Sequence, residues 1–139
     1  MTAPLERAGL RSRIDKALAA FLAVQRARLL DIDAALGEVA DAVEDFVLGG
    51  GKRLRPAFAY WGYRGAGGLD GEPVVTAVSA LELVQASALI HDDLMDRSDT
   101  RRGEPSVHRR FEARHTARRW RGGAAAFGDS GMLAKPCAR

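Results

Sequence analysis

Three features are scarce in this 139-residue sequence, and each scarcity excludes a class of protein. The single cysteine, Cys137, allows no disulfide within the chain, and the sequence contains no CxxC pair or Cys/His zinc spacing. Aromatic residues make up only 6% of the chain, and no base-stacking pattern or recognised DNA-binding motif accompanies the arginines. The sequence therefore predicts neither a disulfide scaffold nor a zinc module, and we expect no nucleic-acid partner.

Long uninterrupted apolar runs are also scarce. The N-terminus, Met1 to Arg7, lacks the basic segment and apolar segment of a signal peptide. The longest weakly charged run, Pro73 to Ile90, is interrupted by Glu82 and Gln85 and is marginal in length for crossing a bilayer. We therefore expect a soluble protein that does not span a membrane, and the single cysteine favours the cytoplasm.

Charge is unevenly distributed along the chain, although the net charge is only +3. A basic segment of this kind can bind nucleic acid, an anionic membrane surface or phosphorylated substrates. We assign the first arginine pair to substrate phosphates and most of the other cations to solvation. After residue 100 the acids are Glu104, Glu112 and Asp129, and the cations are Arg101, Arg102, Arg109, Arg110, Arg114, Arg118, Arg119, Arg121, Lys135 and Arg139.

Apolar residues three or four apart predict an all-α fold. This periodicity runs from about residue 10 to 47, with a break between two helices near Asp31 to Asp33 or at Gly37. No turn dipeptide has alternating apolar flanks, so strands are not expected. Further helices are predicted at Pro56 to about Gly62, Val74 to Met95, more weakly Val107 to about Ala117, and near Trp120, with a loop from Arg64 to Pro73.

The most informative stretch is His91-Asp-Asp-Leu-Met-Asp96, which closes the long apolar helix and precedes Arg101 and Arg102. Carboxylates at i and i+4 repel each other, and acids at a helix C-terminus also oppose the macrodipole. A bound cation would relieve both effects, and carboxylate oxygens suit Mg²⁺, whose coordination substrate phosphates complete. The alternative is a solvated acidic helix end that runs into a basic loop.

A second informative stretch is Leu48-Gly-Gly-Gly-Lys-Arg-Leu-Arg-Pro56. Three glycines let the backbone approach a ligand closely, and the three cations that follow predict an anion-binding entry to a helix. The spacing and hydroxyl of a Walker A loop are missing. The alternative is a flexible turn with solvated cations. Glu82 and Gln85 face either a polar cavity shared with the aspartates or the solvent.

Together, Gly50-Gly-Lys-Arg-Leu-Arg-Pro56 and Asp92-Asp-Leu-Met-Asp96 with Arg101-Arg-Gly103 resemble the (E)-polyprenyl diphosphate synthases. The resemblance implies a helical bundle of the isoprenoid synthase type, with residues 1–130 as the N-terminal part of the domain and 131–139 as an unpatterned tail. Family members are about twice this length, and their second aspartate-rich motif has no counterpart after Gly103. We therefore expect a truncated gene product or a frameshift near Gly131.

The resemblance also implies roles for individual residues. Asp92 and Asp96 would be Mg²⁺ ligands with Asp93 assisting, and Arg101 would hold the allylic diphosphate. Small side chains at Ser87 and Ala88, one turn before Asp92, imply geranylgeranyl or longer products, unless they are small only to let another helix pack closely. The isopentenyl diphosphate site would comprise Lys52, Arg55, Gln85 and Arg102.

The implied reaction condenses isopentenyl diphosphate with an allylic diphosphate, and the implied full-length enzyme is a homodimer. The implied reaction needs no side-chain nucleophile, so we expect a structural or exposed position for His91, His108 and His115. The alternative is a fragment that binds diphosphate and Mg²⁺ without turnover, which the missing second motif favours.

Overall fold

The computed structural model describes residues 9–129, and within that range helices dominate, as predicted. Two two-residue strands, β1 (Thr100–Arg101) and β2 (Glu104–Pro105), are the remaining regular elements. The tail predicted at 131–139 lies outside the described residues. The helices are α1 (Leu10–Ile32), a 3₁₀ turn (Ala34–Leu36), α2 (Gly37–Leu48), α3 (Leu54–Gly65), α4 (Glu72–Met95), α5 (Val107–Ala117) and α6 (Ala124–Asp129).

The chain divides into two compact units between Val84 and Gln85, and α4 contributes to both. In the first unit α1 packs against α2. Buried residues recur on α1 at four-residue intervals, which places them on one face of the helix. They are Leu10, Ile14, Leu18 and Leu22.

The predicted break between the first two helices is confirmed at Asp33. Its backbone is extended, and its side chain accepts a hydrogen bond from the Ala35 N–H at 2.7 Å, which caps the 3₁₀ turn. Gly37 then begins α2. A Cβ atom there would lie 3.0 Å from Leu30 Cδ2, so glycine lets the two helices approach closely.

Helix α3 begins two residues before the predicted start because Arg53 occupies the N-cap position. Pro56 is the third helical residue, where the backbone has no N–H bond within the helix to lose. After α3, Asp70 accepts hydrogen bonds from Arg13 Nη1 at 2.9 Å and from the Tyr60 hydroxyl at 2.8 Å. These bonds tie the predicted loop to α1 and α3.

Helix α4 extends two residues before its predicted start and ends where predicted, at Met95. Within residues 9–129 it is the one helix that by length and composition could cross a membrane. That is a weak indication, because the core helix of a soluble protein meets the same criterion.

The expectation of no strands was wrong at residues 100–105. Strands β1 and β2 pair antiparallel, with Thr100 opposite Pro105 and Arg101 opposite Glu104. The two-residue connection has positive φ at Arg102 (56°) and Gly103 (86°), the requirement of a type I′ hairpin turn. The sequence did not predict this hairpin, because its flanks are polar rather than alternating with apolar residues and its turn dipeptide is Arg-Gly rather than Asn-Gly or Asp-Gly.

Helices α5 and α6 pack together through aromatic rings in the second unit. Phe127 of α6 meets Phe111 of α5 at a ring distance of 6.1 Å and Trp120 at 5.0 Å. His115 is buried beside both Trp120 and Phe127, and His108 is also buried. Helix α5 has few apolar residues, as predicted, and it docks because α6 supplies the missing apolar surface.

Candidate functional site

Asp92 lies in the last turn of α4, and Asp96 follows one helical turn later. The Asp96 N–H donates to the Asp92 carbonyl at 2.9 Å, so the helical spacing continues one residue past the end of α4. Both side chains are exposed, Asp92 to 64%. Residues 9–129 contain no group of three acidic, His or Cys side chains that could hold a metal ion. Two exposed carboxylates nevertheless fit Mg²⁺, which commonly takes one or two carboxylates together with waters and substrate phosphates.

Asp93 has a different environment from its neighbours. Its side chain is 1% exposed, and both its oxygens accept hydrogen bonds from Arg101, from Nε at 2.6 Å and from Nη2 at 2.5 Å. The same Nη2 lies 4.0 Å from Asp92 Oδ2. The Asp93 hydrogen bond raises the pKa of Arg101, although partial burial opposes this. A permanently charged guanidinium is therefore fixed beside the exposed Asp92.

The hairpin that carries Arg101 and Arg102 is anchored at both ends. The Ser98 N–H donates to the Asp93 carbonyl at 2.9 Å. The buried Ser106 donates from its hydroxyl to the Ser98 carbonyl at 2.6 Å and from its N–H to the Asp99 carbonyl at 3.0 Å. Sequence reasoning missed Ser106, whose signal was its position immediately before the predicted helix at Val107.

Ion pairs connect the same loop to the two following helices. Arg109 of α5 donates to Asp99 at 2.8 Å and to Glu112 at 2.5 Å. Arg97, just after α4, donates to Asp129 of α6 at 2.5 Å. The hairpin and its arginines are therefore held from α4, α5 and α6.

The glycine-rich loop lies in the first unit. Gly50 has φ 122° and Gly51 has φ 150°, values that L side chains rarely adopt. Lys52 and Arg55 are exposed, as expected of anion-binding side chains. Arg53 between them is buried at 4% exposure.

The sequence analysis did not distinguish Arg53 from Lys52 and Arg55, because the three cations of the motif looked equivalent. Arg53 donates from Nε to Asp15 at 2.8 Å, from Nη1 to Glu82 at 2.9 Å and from Nη2 to the Val47 carbonyl at 2.9 Å. Burial acts to lower the pKa of Arg53, but the hydrogen bonds that it donates to Glu82 and Asp15 outweigh burial and raise it. Glu82, which the sequence analysis placed either in a cavity shared with the aspartates or in solvent, is instead paired with Arg53. The position of Glu82 within a largely apolar helix was the sequence feature that could have indicated a buried cationic partner.

The structure places the predicted site residues in two groups. Lys52 and Arg55 are in the first unit. In the second unit Arg101 lies next to Asp92 and Asp93. The predicted site residues earlier in α4 differ in solvent exposure. Among these, Gln85 and Ser87 are partly exposed and Ala88 is exposed.

Comparison with known sequences connects both motifs to one family. The family model described as polyprenyl synthetase matches residues 37–118. A short chain isoprenyl diphosphate synthase of Methanothermobacter thermautotrophicus is 43% identical over 67 residues, which cover 48% of this chain and 20% of the relative. An octaprenyl diphosphate synthase of Escherichia coli is 42% identical over 65 residues, which cover 47% and 20%. The chain thus spans about a fifth of the length of these curated relatives.

A solved structure agrees with the sequence relatives. The fold is similar to a crystal structure of geranylgeranyl pyrophosphate synthase from Corynebacterium glutamicum, complexed with isoprenyl diphosphate and magnesium. The TM-score is 0.83 at 39% identity, and the match covers 91% of this chain and 37% of that chain. This similarity confirms the expected isoprenoid synthase fold. Because the family match covers more than half of its residues, the chain belongs to the polyprenyl synthetase family.

Proposed function

We propose that this chain provides the diphosphate-binding part of a Mg²⁺-dependent prenyltransferase, which condenses isopentenyl diphosphate with an allylic diphosphate into a longer (E)-prenyl diphosphate. The observation that carries the proposal is the end of α4, where Asp92 and Asp96 are both exposed and Asp92 lies 4.0 Å from a guanidinium fixed by the buried Asp93. A carboxylate pair beside a fixed cation suits a ligand that combines a metal with phosphate oxygens.

In this proposal Asp92 and Asp96 hold Mg²⁺, and Asp93 assists by keeping Arg101 beside Asp92. The metal, when bound, neutralises charge that develops on the leaving diphosphate. Arg101 hydrogen-bonds the allylic diphosphate. The residues that bind isopentenyl diphosphate are Lys52, Arg55, Gln85 and Arg102.

The proposed reaction breaks the allylic C–O bond, and the diphosphate leaves with the electron pair. The double bond of isopentenyl diphosphate attacks the resulting carbocation and forms the new C–C bond. A proton is then lost to the released diphosphate, which restores a double bond. The role of the protein side chains is to bind, orient and exclude water, so no nucleophilic side chain is required.

The test uses a chimaera in which residues 9–129 replace the matching part of the Corynebacterium glutamicum synthase. It is incubated with isopentenyl diphosphate and each of dimethylallyl, geranyl and farnesyl diphosphate, with and without Mg²⁺. We expect Mg²⁺-dependent chain elongation that Asp92→Ala abolishes. A folded chimaera without product, beside an active parent synthase, would contradict the proposal, as would full activity of the Asp92→Ala form.

We further propose that the active enzyme is a cytoplasmic homodimer. Analytical ultracentrifugation of the chimaera and cell fractionation of the tagged native protein test these two points.

A further inference from the structure

We propose that Arg53 is a positioning residue, whose buried guanidinium fixes the loop at 49–52 and thereby holds Lys52 and Arg55 for diphosphate binding. The inference rests on the proposed function, in which Lys52 and Arg55 bind isopentenyl diphosphate. It assigns Arg53 no contact with substrate.

The first argument is the set of acceptors around Arg53. They come from three helices of the first unit: Asp15 from α1, the Val47 carbonyl from the end of α2, and Glu82 from α4. One planar guanidinium can satisfy all three because its donors point in fixed, different directions. A lysine keeps the charge but has no such fork, so it cannot reproduce the three bonds.

The second argument is the backbone of the loop. Arg53 has φ 50° and ψ 36°, a left-handed conformation that costs an L residue roughly 1 kcal/mol or more and persists only where the surroundings enforce it. The three side-chain hydrogen bonds provide that enforcement. A Cβ atom on Gly51 would lie 3.2 Å from Arg53 Nη1, so the loop backbone packs directly on the guanidinium.

The third argument is the position of the flanking cations. Lys52 precedes Arg53, and Arg55 follows it in the first turn of α3, and both are exposed. Since Arg53 fixes the backbone between them, their Cα atoms are already in place before a ligand arrives. Such preorganisation strengthens binding because less conformational entropy is lost on association.

The experiment measures the dissociation constant of isopentenyl diphosphate by calorimetry on the full 139-residue chain and on Arg53→Lys and Arg53→Gly. Arg53→Lys removes the fork, and Arg53→Gly removes the side chain but relieves the positive φ. Circular dichroism selects a temperature at which every variant is folded. The matched control is Arg64→Lys, the same substitution at an exposed position near the end of α3.

We expect both Arg53 variants to bind at least about tenfold more weakly and Arg64→Lys to bind as the parent does. In a Lys52→Ala/Arg55→Ala background, Arg53→Lys should cause no further loss, because Arg53 acts through those residues. Hydrogen exchange should also show faster exchange of the loop amides in Arg53→Lys without ligand.

Two results would overturn the inference and are distinguishable. Unchanged affinity in folded Arg53→Lys, with the parent binding normally, removes the positioning role alone. No binding by the parent chain removes the proposed function and this inference with it.

Discussion

Asp92 and Asp93 are adjacent carboxylates with opposite environments. Successive residues on a helix are separated by about 100° around its axis, so one of them faces solvent while the other is buried against Arg101. The same contrast separates the exposed Lys52 from the buried Arg53. At the scale of the residue, a motif of like side chains therefore contains exposed groups together with buried, hydrogen-bonded ones.

The first prediction concerns the exposed carboxylates. Asp92→Ala and Asp96→Ala should abolish Mg²⁺-dependent binding of allylic diphosphate. Without Mg²⁺ the free energy of unfolding should hold or rise by a few tenths of a kcal/mol, because removing either acid relieves i,i+4 repulsion. Titration calorimetry and urea unfolding measure the two effects. A clear fall in melting temperature for both variants would instead support a structural acidic helix end.

The second prediction is that Asp93→Ala destabilises the fold, in contrast to Asp92→Ala. Arg101 would lose two short hydrogen bonds, and the carboxylate left to it among residues 9–129 would be the exposed Asp92, 4.0 Å away. We expect the free energy of unfolding to fall by about 1–3 kcal/mol. Urea unfolding measures it, and equal stabilities of the two variants would contradict the structural role assigned to Asp93.

The third prediction concerns pH. Hydrogen bonds from Arg13 and then Tyr60 lower the pKa of Asp70 below its ordinary 3.8. The unfolded state therefore takes up this proton first as the pH falls, so the contribution of Asp70 to stability is present above about pH 4 and is lost as the pH falls through the folded pKa. In Asp70→Asn the free energy of unfolding should therefore fall less steeply than in the parent as the pH is lowered below about 4. Asp31→Asn, the same substitution at an exposed carboxylate near the end of α1, is the matched control.

At the scale of the element, the α5–α6 pair depends on a close approach at one glycine. The fourth prediction is that Gly128→Ala lowers the free energy of unfolding by about 1–3 kcal/mol, as overpacking does. The new Cβ would lie 2.4 Å from Glu112 Cγ and 2.8 Å from the His108 carbonyl oxygen, which is fixed backbone. Gly123→Ala is the matched control, because a Cβ there meets nothing within 4 Å. Equal unfolding curves for the two variants would contradict the packing.

Helix α4 also carries the proposed determinant of product length. Ala88 lies about one turn before Asp92 on nearly the same face and is exposed, and its neighbour Ser87 is partly exposed. The fifth prediction is that the chimaera makes geranylgeranyl diphosphate or longer products, and that Ser87→Phe and Ala88→Phe shorten them by blocking the growing chain. Chromatography of the products by length measures this. A farnesyl product from the unsubstituted form, or no shortening in either variant, would support small residues that serve helix packing alone.

At the scale of the whole molecule, the chain corresponds to 37% of the solved relative and divides into two units, each with one motif. The resemblance to the family implies a second aspartate-rich motif, which has no counterpart among residues 104–139. In line with this, we propose that the 139-residue chain alone turns over below roughly 1 s⁻¹, the lower end of usual enzyme rates. The Mg²⁺-dependent assay without the relative's remaining helices compares it directly with the chimaera.

The sequence by itself determined the helical class, most helix boundaries and the family. Helical periodicity is a local property of the chain. The start of α4 was therefore predicted to within two residues, and both ends of α5 were predicted correctly. The two motifs are also contiguous in sequence, which is why Asp92, Asp96, Lys52 and Arg55 could be named without a structure.

Only the tertiary structure decided which members of each motif are exposed and which are buried. Arg53 is buried against Asp15 and Glu82, which lie 38 and 29 residues away along the chain. No local sequence pattern predicts contacts between residues so far apart. The β1–β2 hairpin was hidden for a related reason. It has almost no apolar surface of its own, and it is held by Ser106 and by ion pairs with α5 and α6, whose strength depends on distances that folding sets.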